Sequence, residues 1–239
     1  MDNTVYSTLT NQVGILNNIQ LTTNNMANAG TVGFKQDKML FKQFLTNDVL
    51  DKTTFPNDAS TIVLFQEGVF KPTKQPFDLA IAGRGFFALQ TPEGVRYTRN
   101  GSFTINSEGT LVNKDGHPVL TSEGDTIAFD VTDNPPSIME NGRVMANDQE
   151  KGNIAVVDFP DLHFVRKSGN NMFFSDMPAF PAENFRVIQG TLEQSNTVPV
   201  TEMARMLELN NQMQAANNMI NNNYRLSQGV YKAMSKQGG

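Results

Sequence analysis

Both ends of this chain carry apolar or neutral side chains at alternating steps of three and four. Near the start they are Val5, Leu9, Gln12, Leu16, Ile19, Thr23 and Met26. Near the end they are Met203, Met206, Asn210, Met213, Asn217, Ile220, Tyr224, Ser227 and Tyr231. Such spacing lays a single stripe along one face of an α-helix, so helices are expected over residues 4–28 and 200–234. Between them, short apolar runs alternate with turns such as Asn100-Gly101, Asp115-Gly116 and Asn141-Gly142. That is strand and hairpin chemistry, because Asn, Asp and Gly tolerate the positive φ of tight turns. The expected class is α+β with a mainly β body. The N- and C-terminal helices pair as a coiled-coil-like layer, and a β-rich domain is inserted between them.

The chain divides into four segments. Residues 1–30 are the N-terminal helix, capped at Asp2 or Thr4 and ending where Gly30 can turn left-handed. Residues 31–75 form a connecting arm, in which Met39, Leu40, Phe41, Phe44 and Leu45 fit either a short helix or extended chain. Residues 76–190 are the β-rich domain, and residues 191–239 are a linker plus the C-terminal helix, with Ser195 or Thr201 as its cap. Both helices are loaded with Asn, at positions 17, 18, 24, 25, 210, 211, 217, 218 and 221–223. Each Asn costs up to roughly 0.7 kcal/mol relative to Ala in a helix interior. Two readings fit: an ordinary helix pair packed on the β body, or seams that gain order on assembly with other molecules. The Asn load favours the second.

Composition removes several classes. A net charge of −5 with 18% charged residues gives no electrostatic reason to expect nucleic acid or an anionic membrane. No apolar run approaches the roughly 18 residues of a membrane span, so no membrane insertion is expected. The start Met1-Asp2-Asn3-Thr4-Val5 shows no basic region before an apolar core, so no cleaved signal is expected. Cysteine is absent, which rules out disulfides and thiolate metal sites.

The chemical motifs are weak. Gly83-Arg84-Gly85-Phe86-Phe87-Ala88 fits G-x-G-x-x-A, but the run Phe86-Phe87-Ala88-Leu89-Gln90 reads as strand, whereas a dinucleotide site needs a helix there. Two glycines at a bend between strands explain it. His117 and His163 have no partner at zinc or catalytic spacing. Asn113-Lys114-Asp115-Gly116 lacks the rest of a calcium loop. No Ser sits in G-x-S-x-G. Glu108 and Asp115 read as solvated carboxylates. Arg96 and Arg99, flanking Tyr97, read as a charged pair on a solvated face, or as an interface. No catalytic residue, cofactor or metal is expected.

Three blocks carry a family resemblance. Asn24-Asn25-Met26-Ala27-Asn28-Ala29-Gly30-Thr31-Val32-Gly33-Phe34-Lys35 resembles the N-N-L-A-N-x-x-T-x-G-F-K signature of bacterial flagellar rod and hook proteins. Phe77-Asp78-Leu79-Ala80-Ile81, Gly83-Arg84-Gly85-Phe86-Phe87 and Tyr97-Thr98-Arg99-Asn100-Gly101-Ser102-Phe103 resemble a second block. Gly190-Thr191-Leu192-Glu193-Gln194-Ser195-Asn196, with Glu202-Met203, is similar to G-x-L-E-x-S-N and the opening of the last helix. The length excludes the longer hook protein and the shorter rod members. The opening Met1-Asp2-Asn3-Thr4-Val5-Tyr6 resembles the proximal-rod members more than the distal-rod ones.

The resemblance implies a structural, non-enzymatic subunit of the flagellar basal-body rod. Such a subunit is exported unfolded by the flagellar type III apparatus. It assembles helically with copies of itself and other rod proteins in the periplasmic space, and passes motor torque to the hook. The candidate assembly residues are Val5, Leu9, Leu16, Ile19, Met203, Met206, Met213 and Ile220 on the seams. The signature residues Asn24, Asn25, Met26, Ala27, Asn28, Gly33 and Phe34 join them. The alternatives are a distal-rod role, or a β-domain that binds a soluble ligand or surface glycan.

Overall fold

A computed structural model describes residues 2–42, 58–130 and 135–237. Among the described residues two α-helices, α1 (Asp2–Ala27) and α2 (Pro199–Gln237), bracket strands and turns. The protein divides into two compact units. One takes residues 1–27, 37–62 and 198–239; the other takes 28–36 and 63–197.

In the first unit α1 and α2 lie against each other. They run antiparallel, because Gln12 Nε2 donates to Asn217 Oδ1 (2.8 Å) while Arg205 Nη2 donates to Asn18 Oδ1 (3.2 Å). Pro199 occupies the first helical position of α2, where its missing N–H costs nothing and its fixed φ suits the helix. The Val198 carbonyl accepts the N–H groups of Thr201 and Glu202, at 3.1 Å each. Neither residue expected as the cap serves. Ser195 Oγ instead accepts from the Thr197 N–H (3.1 Å), and Thr201 lies inside the helix.

The buried stripes are rotated one residue from the expected seams. On α1, Ile15 and Thr22 are buried where Leu16 and Thr23 were expected; on α2, Leu209 and Ala216 take the place of Asn210 and Asn217. Gln12, Ile19, Met26, Met206, Met213 and Ile220 belong to both patterns and are half-buried. Burying Leu209 and Ala216 spares two amides the cost of desolvation. The side chains of Val5, Ser227 and Tyr231 lie outside the described residues.

Residues Asp37–Lys42 form a strand paired with Asp58–Val63, so that part of the arm is extended. Phe44 and Leu45 lie outside the described residues. Asn25 ties α1 to this arm: its Nδ2 donates to the Asp37 carbonyl (2.8 Å), and its Oδ1 accepts the Asp37 N–H (2.9 Å). A buried amide with both ends satisfied is tolerated inside a helix that would otherwise suffer for it.

The second unit is built on a six-stranded antiparallel sheet. Its order is Val165–Lys167, Met172–Ser175, Gly94–Thr98, Phe86–Thr91, Val156–Asp158 and Phe180–Pro181. The central strand Phe86–Thr91 is covered on both faces. Phe87 and Leu89 enter one core with Leu79, Ile81, Leu111 and Val119. Phe86 enters a second core with Phe159, Val165 and Phe173, where rings meet edge-on at centroid distances of 5.7–5.8 Å. Such aromatic geometry adds to area burial. Smaller pairs complete the unit: Leu79–Gly83 with Phe185–Gln189, and Phe70–Pro72 with Thr191–Glu193.

Several strands escaped the sequence reading, among them Gln149–Asn153, Val165–Lys167 and Met172–Ser175. Residues 191–193, read as linker, are a buried strand. Gly83 and Gly85 have φ of +100° and +136° and turn the chain between two strands, as their spacing suggested. Gly30 does not adopt the left-handed conformation; Gly33 does, with φ +68°.

Candidate assembly site

The three signature blocks are far apart in sequence and meet at one point inside the second unit. Gly33 makes the approach possible. Its N–H donates to the Glu193 carbonyl (2.7 Å), and a Cβ there would lie 2.5 Å from backbone atoms of Arg99 and Asn100. Phe34 follows, buried, with the Lys167 ammonium 4.1 Å from its ring centroid. Lys167 Nζ also donates to the Lys35 carbonyl (2.7 Å).

Lys35 then points into the interior, where it is wholly buried. Its Nζ donates to Glu193 Oε1 (2.5 Å) and to the Gln66 carbonyl (2.7 Å). Glu193, also wholly buried, accepts the Gly68 N–H on the same oxygen (2.9 Å) and Arg99 Nη1 on the other (3.4 Å). The Arg99 guanidinium continues to the carbonyls of Ile81 (3.1 Å) and Gly83 (2.8 Å). One residue from each block therefore contributes one charge to a dry Lys–Glu–Arg cluster. Asn196 adds a parallel clamp, accepting the Gln36 N–H (2.8 Å) and donating to the Leu64 carbonyl (2.8 Å).

This overturns the solvated reading of Arg99, which is only 4% exposed. Strand Gly94–Thr98 ends one residue earlier, so alternation no longer governs where Arg99 points. Burial pushes the Lys35 ammonium below its ordinary value, with Glu193 opposing and Arg99 reinforcing the shift. Burial likewise lowers Arg99, again opposed by Glu193. Charges removed from water this completely survive only when each finds partners, and here each charge does, with Arg99 Nε alone in the cluster left without a hydrogen bond. Lys35 is the one charge of residues 24–35 and Glu193 the one charge of residues 190–196, but the second block also holds Asp78 and Arg84, so nothing in the sequence singled out Arg99.

The helices supply a different surface. Leu9, Val13 and Leu16 on α1 are 46–56% exposed, and Gln20, Thr23 and Ala27 continue the stripe at the same four-three spacing, all exposed. On α2, Val200, Met203 and Leu207 form an exposed apolar row. Residues 3–27 contain no charged side chain, and neither do residues 209–224. Asn24 and Ala27 are exposed and Asn28 is half-buried, whereas Asn25, Gly33 and Phe34 are turned inward and engaged within the chain.

The remaining candidates are local. His163 pairs with Asp161 (2.6 Å), whose carboxyl is held below its usual range by hydrogen bonds from the His163 backbone and side chain. His117 borders an open polar hollow with Glu93, Arg96 and Ser168. Glu108 and Asp115 are exposed. Among the described residues no helix is long and apolar enough to cross a membrane.

Comparison with known proteins converges on one family. The model of the flagellar hook protein FlgE/F/G D1 domain matches residues 80–146, which include Arg99. The chain is 32% identical to the flagellar basal-body rod protein FlgF of Caulobacter vibrioides, with 99% of each chain covered. It is 33% identical to FlgF of Mesorhizobium japonicum over 87% of each. Against the rod protein FlgG of Bacillus subtilis it is 29% identical, covering 71% of this chain and 72% of the other.

Proposed function

The chain belongs to the flagellar basal-body rod proteins and is a structural subunit of the rod, and we propose that it builds the proximal part by packing its terminal helices against those of neighbouring copies and related rod proteins. The observation that carries this reading is the exposed, uncharged stripe Leu9–Val13–Leu16 on α1. A monomer gains nothing by leaving such a row in water, and contiguous exposed apolar surface marks contact sites. Amide side chains beside it both donate and accept hydrogen bonds, so a neutral Asn-rich face complements its own copy. Buried Ile15, Asn18, Thr22 and Asn25 on α1, and buried Leu209 and Ala216 with half-buried Met206, Met213 and Ile220 on α2, keep the four-three spacing of a coiled-coil seam, which supports one helical layer within the subunit. The Asn load leaves that layer dependent on burial for its stability.

The β body supplies a stiff mass through which torque passes to the hook. The subunit reaches the periplasmic rod through the flagellar export apparatus. Replacing Leu16 with Asp tests the assembly face. The charge falls where a neighbour must be seated, and burying it unpaired is costly. Cells carrying Leu16→Asp in place of the wild-type gene are expected to lose motility, while the purified variant keeps the wild-type unfolding midpoint of its β body. Full motility would refute the proposed face.

A further inference from the structure

The chain has 12 methionines and no cysteine, so thioethers are its only sulfur open to two-electron oxidants. Among the described residues they run from buried to exposed, with Met26, Met145, Met177, Met206 and Met213 half-buried. Met39 and Met172 are 7% exposed, whereas Met203 and Met219, both on α2, are 56% exposed. Met203 lies in an exposed apolar row between Val200 and Leu207, whereas Met219 stands on an amide-rich stretch, with Asn222 and Asn223 one turn on and Leu226 two turns on. Met139, in the turn before Gly142, is 45% exposed but lies outside the helices.

We infer that Met203 and Met219 are oxidation sites through which peroxide disables the assembly surface of the free subunit. The inference rests on the reading of the exposed face of α2 as an assembly surface. The chemistry is oxygen transfer. A sulfur lone pair attacks one peroxide oxygen and the O–O bond breaks; the thioether is oxidised to the sulfoxide while the peroxide is reduced to water. The product carries a strong acceptor oxygen, at Met203 in the middle of an apolar row and at Met219 among amides whose hydrogen bonds it competes for. Where a neighbour seats apolar side chains on Val200, Met203 and Leu207, nothing there donates to that oxygen, so the contact is lost for want of a hydrogen bond. Because methionine also fits irregular neighbours better than a branched residue does, the property that suits it to such a surface is the one oxidation removes. The change is reversible by methionine sulfoxide reductases.

The test has two arms. In the first, the purified full chain is treated with graded hydrogen peroxide and mapped by peptide mass spectrometry. Met203 and Met219 are expected to gain one oxygen roughly tenfold faster than Met39 and Met172, as exposure governs this chemistry. Equal rates at the four sites would overturn the site assignment, whatever the rod reading. In the second, rod assembly is counted in cells induced to express the gene under sublethal peroxide. The Met203→Leu, Met219→Leu double variant is expected to keep assembling where the wild type stops, and Met139→Leu is expected to give no rescue. A double variant as sensitive as the wild type would overturn the regulatory consequence. Failure of the untreated wild type to enter basal bodies would instead count against the rod assignment and leave the mapping result standing.

Discussion

Removing the carboxylate of Glu193 is the most informative single change, because the structure assigns it two buried cations and a backbone N–H. In Glu193→Leu, Lys35 keeps only the Gln66 carbonyl, and Arg99 keeps those of Ile81 and Gly83. Stranding buried charge by deleting one partner costs about 3–5 kcal/mol. Orphaning the Gly68 N–H adds about 1 kcal/mol or more. The total, roughly 4–6 kcal/mol, is a large share of the 5–15 kcal/mol by which domains are commonly stable. Lys35→Met is the instructive contrast. It leaves Glu193 paired with Arg99 and Gly68 and puts an apolar chain of similar length in the slot, so the loss is expected near 2 kcal/mol. The chain has no Trp, so urea unfolding is best followed by far-ultraviolet circular dichroism. The double variant should cost less than the sum of the singles, since their shared interaction is lost only once. The reasoning fails if Lys35→Met costs as much as Glu193→Leu, or if Glu193→Leu costs under about 1 kcal/mol, the level of an exposed ion pair.

Two other outcomes are expected. Gly33→Ala should destabilise the β body by about 3 kcal/mol or more, combining a left-handed φ with a clash against the Arg99 backbone, whereas Gly30→Ala, with no atom within 4 Å of the added Cβ, should change it by less than about 1 kcal/mol. Matched urea titrations of the two variants decide this. The lowered value of Lys35 in the folded chain means the unfolded chain holds its proton more tightly. The resulting penalty is complete below the folded value, shrinks as pH rises, and is gone above the ordinary 10.5. The wild type should therefore gain stability relative to Lys35→Met as pH climbs through the alkaline range. Tyr97, whose phenol is pushed up by burial, makes the folded state lose ground above about pH 10, but it does so in both proteins and cancels in the difference. A difference that is flat, or that falls with pH, would contradict the placement of Lys35 beside Glu193 and Arg99.

The terminal helices, the hairpin-rich middle and the glycine bend at Gly83–Gly85 were legible because each rests on local rules: side-chain period, turn chemistry and backbone freedom. The same local rules explain the misses. Val165–Lys167 and Gln149–Asn153 carry charged or polar residues and become strands only because neighbours supply ladder partners, so their own propensity says little. The seams were displaced by one residue because periodicity identifies a face only to within about 100° of helix rotation, and the choice between Leu16 and Ile15 depends on what each face meets. Asn25 looked like a penalty to α1, yet Asp37 presents both backbone groups to its amide. The residues beside Arg99 do not reveal its surroundings, because its partner Glu193 stands 94 positions later and Lys35 stands 64 positions earlier. Pattern alone thus established the kind of elements, their order and the family blocks. Which charges are brought together in the dark interior, and which apolar rows stay in water, depend on distances between residues remote in the chain, and only tertiary packing decides those.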